Sequence, residues 1–483
     1  MKASHDEKAI LSTSILEQLP AVDEAAVDRL LAAEIRANRD VWIVLDDDPT
    51  GTQTVHDVSV YTDWSVQSIA SGLREGRKVV YLLTNSRSMS REETASVHQE
   101  IARNVMQASA ETGVRAVIMS RSDSTLRGHY PLETEQLRQC LESSGQAIDG
   151  EVLCPFFKEG GRYTLHGIHY VRDGERLIPA AQTEFAGDAT FGYTHSALPA
   201  YIAEKTGGRF PAERVARVSI EELRRQDYDT IQEKLEQLSN FEKICVDAAD
   251  YCDVKVFAVA LYRAMARGKR FLFRTAAGLV KVVGGITDRP LLTRAEMVTE
   301  NTAAGGLVVV GSHTHKTTAQ LEALLTLPGT VGIPFNSDSV LDGEAALEQE
   351  VRRCLSEEEK VVQDGKVAVC YTCRTLLQVA GDTKEAVLRR SVRISDAVQR
   401  LVGELKVRPA FVVAKGGITS STVATQALGI RKALVLGQVQ PGIPVWQADA
   451  ASKFPEIPYV VFPGNVGEQD TLRRVVEILT ASN

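Results

Sequence analysis

Three carboxylates stand side by side in Asp46-Asp47-Asp48-Pro49-Thr50-Gly51-Thr52, directly after the apolar run Val41–Leu45. Adjacent like charges are costly unless a cation, hydrogen-bond donors or a hydroxylated ligand share them. One can take a proton from a substrate hydroxyl, and the others can bind sugar hydroxyls or Mg²⁺. An Asx turn at a strand end accounts for the same residues without chemistry. The run Val79–Leu83 ends in Thr84-Asn85-Ser86-Arg87. Ala116–Met119 ends in Ser120-Arg121-Ser122-Asp123-Ser124-Thr125-Leu126-Arg127-Gly128-His129. A guanidinium at a strand end forks a carboxylate or phosphate, while Asp123 or Ser124 can also simply cap the helix that follows. A fourth run, Val152–Cys154, leads into Gly160-Gly161-Arg162, with His166 and His169 beyond. The Ile168/Tyr170 alternation predicts a strand there, which sends the two imidazoles to opposite faces rather than to one metal.

The second half of the chain carries glycine and hydroxyl groups instead. Phe411–Ala414 ends in Lys415-Gly416-Gly417-Ile418-Thr419-Ser420, and Leu307–Val310 in Gly311-Ser312-His313-Thr314. Paired glycines let backbone N–H groups approach a phosphate, and a following helix adds a favourable dipole. Lys415 can add charge. The loop is neither GxxxxGK[ST] nor GxGxxG, and a tight left-handed turn with a helix cap is the competing reading. Further turns follow at Gln440-Pro441-Gly442 and Pro463-Gly464-Asn465-Val466-Gly467.

All these residues sit at the ends of short apolar runs, which reads as a buried parallel sheet with ligands at its carboxyl edge. The first series continues through Ile244–Val246 and Phe271–Phe273. The second runs through Thr330–Ile333, Val367–Tyr371, Ala433–Leu436 and Tyr459–Phe462. Helices are predicted between them over Arg91–Glu111, Ser219–Leu238, Thr318–Leu325, Gly343–Glu359 and Thr383–Leu405. With 483 residues the chain is too long for one core, because single cores stop growing at roughly 250–300 residues. The expected organisation is a helical extension over 1–40, one domain over 41–290 and a second over 305–483.

A net charge of −8 argues against a nucleic-acid partner, which needs a basic footprint. No stretch approaches the ~20 apolar residues of a membrane span, and residues 1–10 lack an apolar leader. A cytoplasmic protein is expected. The seven cysteines are scattered, and Cys370 and Cys373 find no second pair for a zinc site, so reduced buried thiols are expected.

Taken together, these motifs resemble the four-carbon acid sugar kinase family over most of the chain. The core Asp123 to Gly128 is the most specific match. Asp47 to Thr52, Ser86-Arg87, Gly160-Gly161-Arg162, Arg274-Thr275-Ala276-Ala277 and Gly416 to Ser420 accompany it. The resemblance implies an α/β fold of two domains, each a mostly parallel sheet flanked by helices, with the active site in the cleft between them. It implies phosphoryl transfer from ATP, with Mg²⁺, to a hydroxyl of a small anionic sugar acid such as erythronate, threonate or a 3-oxo-tetronate. A larger or branched acid such as 3-oxo-isoapionate, and a non-catalytic sensor, are the alternatives. Asp48, Asp47 and then Asp123 are the candidate proton acceptors. Arg87, Ser124, Arg127, Gly128 and Arg162 fall to the substrate. Ser312, Gly416, Gly417, Ile418, Thr419 and Gly464 fall to the nucleotide. No metal ligand is assigned, and a homodimer is one open assembly. The chain departs from the family pattern at Pro49, Thr52, Arg121 and His129 and over 166–193, which leaves the exact acid open.

Overall fold

A computed structural model describes residues 7–299, 302–374, 377, 379, 381–382, 384–464 and 466–481. Asn465, and the start of the extension expected over 1–40, lie outside them. The chain divides into two compact units, Met1–Thr54 with Asp63–Asp288, and Val55–Thr62 with Arg289–Asn483.

The first unit is built on parallel strands in the order Ala216–Val218, Glu242–Val246, Gly150–Cys154, Phe271–Thr275, Ala116–Arg121, Val41–Asp46 and Val79–Leu83. Every residue of Val41–Asp46 is buried, as expected for a strand covered on both faces. Behind it, the Trp42 indole donates to the Tyr262 hydroxyl at 2.9 Å and meets Phe273 edge-on at 5.3 Å between ring centres. That hydroxyl donates onward to the Val283 carbonyl. The helix Arg91–Thr112 starts at a Ser90/Glu93 capping box and stops at Gly113, whose φ of 69° suits glycine.

The predicted helix Ser219–Leu238 is two helices, Ile220–Arg224 and Tyr228–Gln237. Gln226 turns left-handed at φ 56°, and the Asp227 carboxylate restarts the helix by accepting from the Thr230 N–H. The extension is only partly helical. Pro20 separates the short turn Ser14–Glu17 from Glu24–Ala37, which buries Val27 and Leu31 and packs on Tyr251–Ala266. A small antiparallel sheet, Leu11–Ser12, Arg176–Pro179, Ile168–Asp173 and Arg162–Leu165, is a further layer that the apolar runs do not announce.

The second unit has the strand order Val58–Tyr61, Lys432–Gln440, Ile443–Ala448, Pro458–Phe462, Val412–Lys415, Leu307–Val310, Val367–Thr372 and Thr330–Phe335. The first four are antiparallel neighbours and the rest are parallel. The first strand of that order, Val58–Tyr61, comes from the early chain, within the stretch expected to be one domain over 41–290. Among the described residues no helix is long and apolar enough to cross a membrane.

Strand order also locates the sites. In the first unit the chain steps from Val41–Asp46 to Val79–Leu83 on one side, then to Ala116–Arg121 on the other. In the second unit it leaves Leu307–Val310 toward Thr330–Phe335 and Val367–Thr372, then returns to its other side at Val412–Lys415. Such switch points open a crevice at the strand ends. The loops that flank them are Asp46–Gly51 with Ser122–Gly128, and Gly311–Thr314 with Lys415–Thr419.

Candidate active site

The three adjacent carboxylates have three different surroundings. Asp46 sits beneath the turn Pro49–Thr52, against the Arg121 guanidinium at 3.2 Å. A Cβ on Gly51 would lie 2.0 Å from its carboxylate oxygens, so only glycine leaves room for that side chain. Burial raises the Asp46 carboxyl to about 7, against the pull of Arg121. Asp47 is forked by Arg87, whose Nη2 and Nε donate at 2.6 and 3.1 Å. Asp48 accepts from the Thr50 N–H at 2.9 Å, so the Asx-turn reading holds for its Oδ1, while its Oδ2 lies 3.4 Å from Arg87. The Asp48 side chain is 19% exposed and that of Asp47 is 2%, which leaves Asp48 the more accessible of the two.

The loop Asp123–Gly128 is held by its carbonyls. Those of Ser124, Thr125, Leu126 and Arg127 accept, in order, from His169 (2.7 Å), the Tyr193 hydroxyl (2.8 Å), the Tyr201 hydroxyl (2.8 Å) and Arg274 (2.7 Å). The carbonyls are thus tied along the length of the loop, which turns left-handed at Leu126 (φ 69°) and at Gly128 (φ 122°). A Cβ on Gly128 would stand 3.2 Å from Arg274 and 3.5 Å from Asp47, so this glycine lets the loop approach the carboxylates. Burial alone would raise the Asp123 carboxyl. Arg87, Arg127 and the Thr125 hydroxyl outweigh it and hold Asp123 well below the usual carboxylate range. A carboxylate so stabilised is a weak base.

Arg162, at the start of Arg162–Leu165, closes the group. One guanidinium nitrogen donates to the Gly160 carbonyl, and Nε is buried without a partner. Burial, with Arg127 adding, pushes the Arg162 pKa down. His166 lies in the hairpin turn beside Glu221, while His169 is buried under the clamped loop. The pair therefore shares no metal.

The candidate residues Asp47, Asp48, Arg87, Asp123, Arg127, Gly128 and Arg162 thus gather at one place, while the Ser124 carbonyl is taken by His169. Arg121, Arg274 and Glu133 belong with them and carry no role in the sequence reading. Glu133 accepts from Ser86 (2.7 Å) and Ser122 (3.3 Å). Arg121 and Arg274 stand at strand ends and were open to the same rule as Arg87. Glu133 reads only as an acid in the first turn of a helix.

In the second unit Ser312, Gly416, Thr419 and Gly464 converge. Thr317 donates to Ser312 at 3.1 Å and to the Gly464 carbonyl at 3.3 Å. Gly416, at φ 122°, brings its Cα beside Ser312, and a Cβ on Gly311 would strike the Thr419 hydroxyl at 2.2 Å. Gly417 opens the helix Gly417–Thr422. Ile418 is exposed and, with Thr419, His313, Thr372 and Val398, lines a cavity of about 250 Å³. Lys415 does not face this loop. It is buried, donates to the Pro463 and Gly464 carbonyls at 2.6 and 3.1 Å, and burial lowers it to about 7. The cation at the turn is Arg374, which donates to the Ser312 carbonyl and has a buried, unpartnered Nη1. It too follows a strand end, Val367–Thr372. The described residues contain no cluster of three or more metal-binding side chains. The donors beside the glycine loops are hydroxyls, which suits a Mg²⁺ carried mainly by nucleotide phosphates. The described cysteines form no disulfide.

Comparison with known proteins matches residues 42–283 to a sugar-binding N-terminal domain and residues 307–472 to a nucleotide-binding C-terminal domain. A search of curated proteins finds no match. A Haemophilus influenzae protein from a family of unknown function is 18% identical over 90% of this chain and 100% of its own, with a TM-score of 0.59. A Salmonella typhimurium protein provisionally called a tRNA synthase is 17% identical over 90% of this chain and 98% of its own, with a TM-score of 0.64. At such identities these two speak for the fold alone. The paired domain matches cover most of the chain, and it belongs to the four-carbon acid sugar kinase family.

Proposed function

We propose that the protein transfers a phosphoryl group from ATP to a hydroxyl of a small sugar acid of the tetronate or 3-oxo-tetronate type. One observation carries the acid. Of the guanidinium groups around the first site, Arg87, Arg121 and Arg127 have carboxylate partners within ion-pair distance. Arg274 has none among the described residues, but Glu133 lies in its field. Arg162, like Arg274, has only a carbonyl partner and a buried Nε without one, but burial outweighs the field of Asp123 and pushes its pKa down. A buried cation without an ion-pair partner calls for an anion from the ligand, and a carboxylate matches its fork.

On this reading the acid's carboxylate lies against Arg162 and the outer edge of Arg127. Its hydroxyls face Asp47 and Asp48. Asp48 accepts the proton of the attacking hydroxyl, because Asp46 is sealed, Asp47 is forked and Asp123 is too weak a base. The nucleotide phosphates take the N–H groups of the glycine loops with Ser312, Thr419 and Arg374. Mg²⁺ carried by those phosphates supplies charge neutralisation. Phosphoryl transfer needs little else from a protein than positioning and electrostatics.

An ADP-release screen against C4 and C5 aldonates and their 3-oxo forms tests this. We expect turnover with acids and none with neutral sugars. Arg162→Gln should raise the KM for the acid by roughly 10- to 100-fold. Turnover of neutral sugars but not of acids would refute the reading.

A further inference from the structure

The segment Ala180–Tyr193 folds over the two arginines assigned to the acid. It contains two short turns, Ala180–Gln182 and Glu184–Gly187. It closes on itself through the Asp188 carboxylate, which accepts from the Thr190 and Phe191 N–H groups at 2.9 and 3.0 Å. It is pinned to the clamped loop by the Tyr193 hydroxyl on the Thr125 carbonyl. Phe185 packs at the margin of the apolar cluster that contains Leu126, Tyr193 and Tyr201. Its ring lies 5.0 Å from the Arg127 guanidinium carbon and 5.7 Å from that of Arg162.

We propose that Phe185 sets the acid selectivity of this site, its ring face holding the Arg127 and Arg162 guanidinium groups together so that both serve one carboxylate. The physics lies in the like charges. Two guanidinium groups repel, and the nearest acids act mostly on one of them. Asp123 takes the Nε of Arg127, Asp188 lies 3.9 Å from its Nη1, and Arg162, though in the field of Asp123, has no carboxylate within ion-pair distance among the described residues. The negative charge over the ring attracts both cations, which offsets part of their mutual repulsion. Arg127 uses its Nε on Asp123 and Thr125, and Arg162 uses one nitrogen on the Gly160 carbonyl, so the remaining N–H groups of the two are the ones that serve a ligand. Phe185 is therefore a positioning residue. It touches neither the transferred group nor the attacking hydroxyl, and it acts on charge recognition rather than on the chemical step.

This inference rests on the kinase reading, so the experiment separates the two. Full-length wild type, Phe185→Ala, Phe185→Leu and Phe185→Tyr are compared for KM and kcat with the best tetronate and, by calorimetry, for binding of its neutral lactone. Thermal melting of each variant monitors the fold. Loss of two cation–π contacts in Phe185→Ala should raise the KM for the acid about tenfold. It should leave kcat within about twofold and the affinity for the lactone unchanged. Phe185→Leu keeps the bulk without the ring and should behave like Phe185→Ala, while Phe185→Tyr should restore wild-type values. A Phe185→Leu protein with wild-type KM, or equal losses for acid and lactone, overturns the assignment and leaves the kinase reading standing. A wild-type protein that binds neither tetronates nor their 3-oxo forms removes both.

Discussion

The two candidate sites occupy the same position in their sheets and are made of opposite materials. Both lie where the strand order reverses, at the carboxyl edge. The site of the first unit is built from side-chain charge: Asp46, Asp47, Asp48 and Asp123 interleaved with Arg87, Arg121, Arg127, Arg162 and Arg274. The site of the second unit is built from backbone. Gly311, Gly416 and Gly464 crowd against Ser312 and Thr419, and the conspicuous lysine, Lys415, turns away into the interior. An acceptor with one carboxylate and several hydroxyls must be read by fixed charges and hydrogen-bond partners. A polyphosphate already carries its charge and needs only N–H groups brought close. The contrast implies that the first site fails when a charge is removed, and the second when a Cβ is added.

The largest effect should come from Asp48→Asn. Asparagine keeps the oxygen that accepts from the Thr50 N–H, so the turn survives while the proton acceptor is lost. We expect kcat to fall by about 10²–10⁴ with nucleotide binding intact, measured by steady-state kinetics and ATP-induced thermal shift. Retained turnover would move the base elsewhere, and no turnover in the wild type would favour a sensor.

A crossed pair of glycine substitutions comes next. Gly51→Ala drives a Cβ into the Asp46 carboxylate and should cost about 1–3 kcal/mol of stability in a denaturant titration, with acid affinity lost. Gly311→Ala drives one into the Thr419 hydroxyl and should weaken ATP while leaving the acid's binding unchanged. If either substitution impaired both ligands equally, the two sites would not be as separable in composition as they are in place.

The smallest effects are pH slopes, and their signs differ. The Asp46 carboxyl is raised to about 7, so the folded state holds its proton longer than the unfolded chain does. Its contribution to stability is complete below about pH 4 and fades as pH rises toward 7. Asp247, also raised to about 7 by burial, acts in the same sense. Lys415 is lowered to about 7, so the unfolded chain binds the extra proton and stability should climb between about pH 7 and 10. Urea midpoints across pH should show Asp46→Asn flattening part of the acid-side fall and Lys415→Met removing the alkaline rise. An unchanged alkaline limb in Lys415→Met would mean the amine stays charged where it is buried.

Strand ends made most of the first site legible. Short apolar runs mark buried parallel strands, and the residue just past each run lies at the ligand edge whatever the rest of the fold does. That is why Asp47, Asp48, Arg87, Asp123 and Arg127 can be picked out together. The same rule extends to Arg121 and Arg274, which the motifs include without assigning either to a ligand, and to Arg374, which no motif marks. It does not reach Glu133, which arrives from a helix, or Phe185, which arrives from a loop. It also misses the strand Val58–Tyr61, whose four residues look like a continuation of the first domain yet pair with Lys432–Gln440.

The sequence by itself determined most of the parallel strands, the edges at which the candidate residues lie and the residue types found there, because burial on both faces of a parallel strand and the turn that ends it are local properties of the chain. Only the tertiary structure decided which charge meets which. Asp46 is sealed under Gly51, Asp47 is forked by Arg87, and Asp48 is left accessible, although the three are neighbours and chemically identical. The carbonyls of Ser124 to Arg127 are clamped by four donors from distant segments, and Lys415 points away from the loop it introduces. These outcomes depend on packing across long stretches of chain, where desolvation and a single well-placed partner outweigh anything that a residue's type or its neighbours can specify.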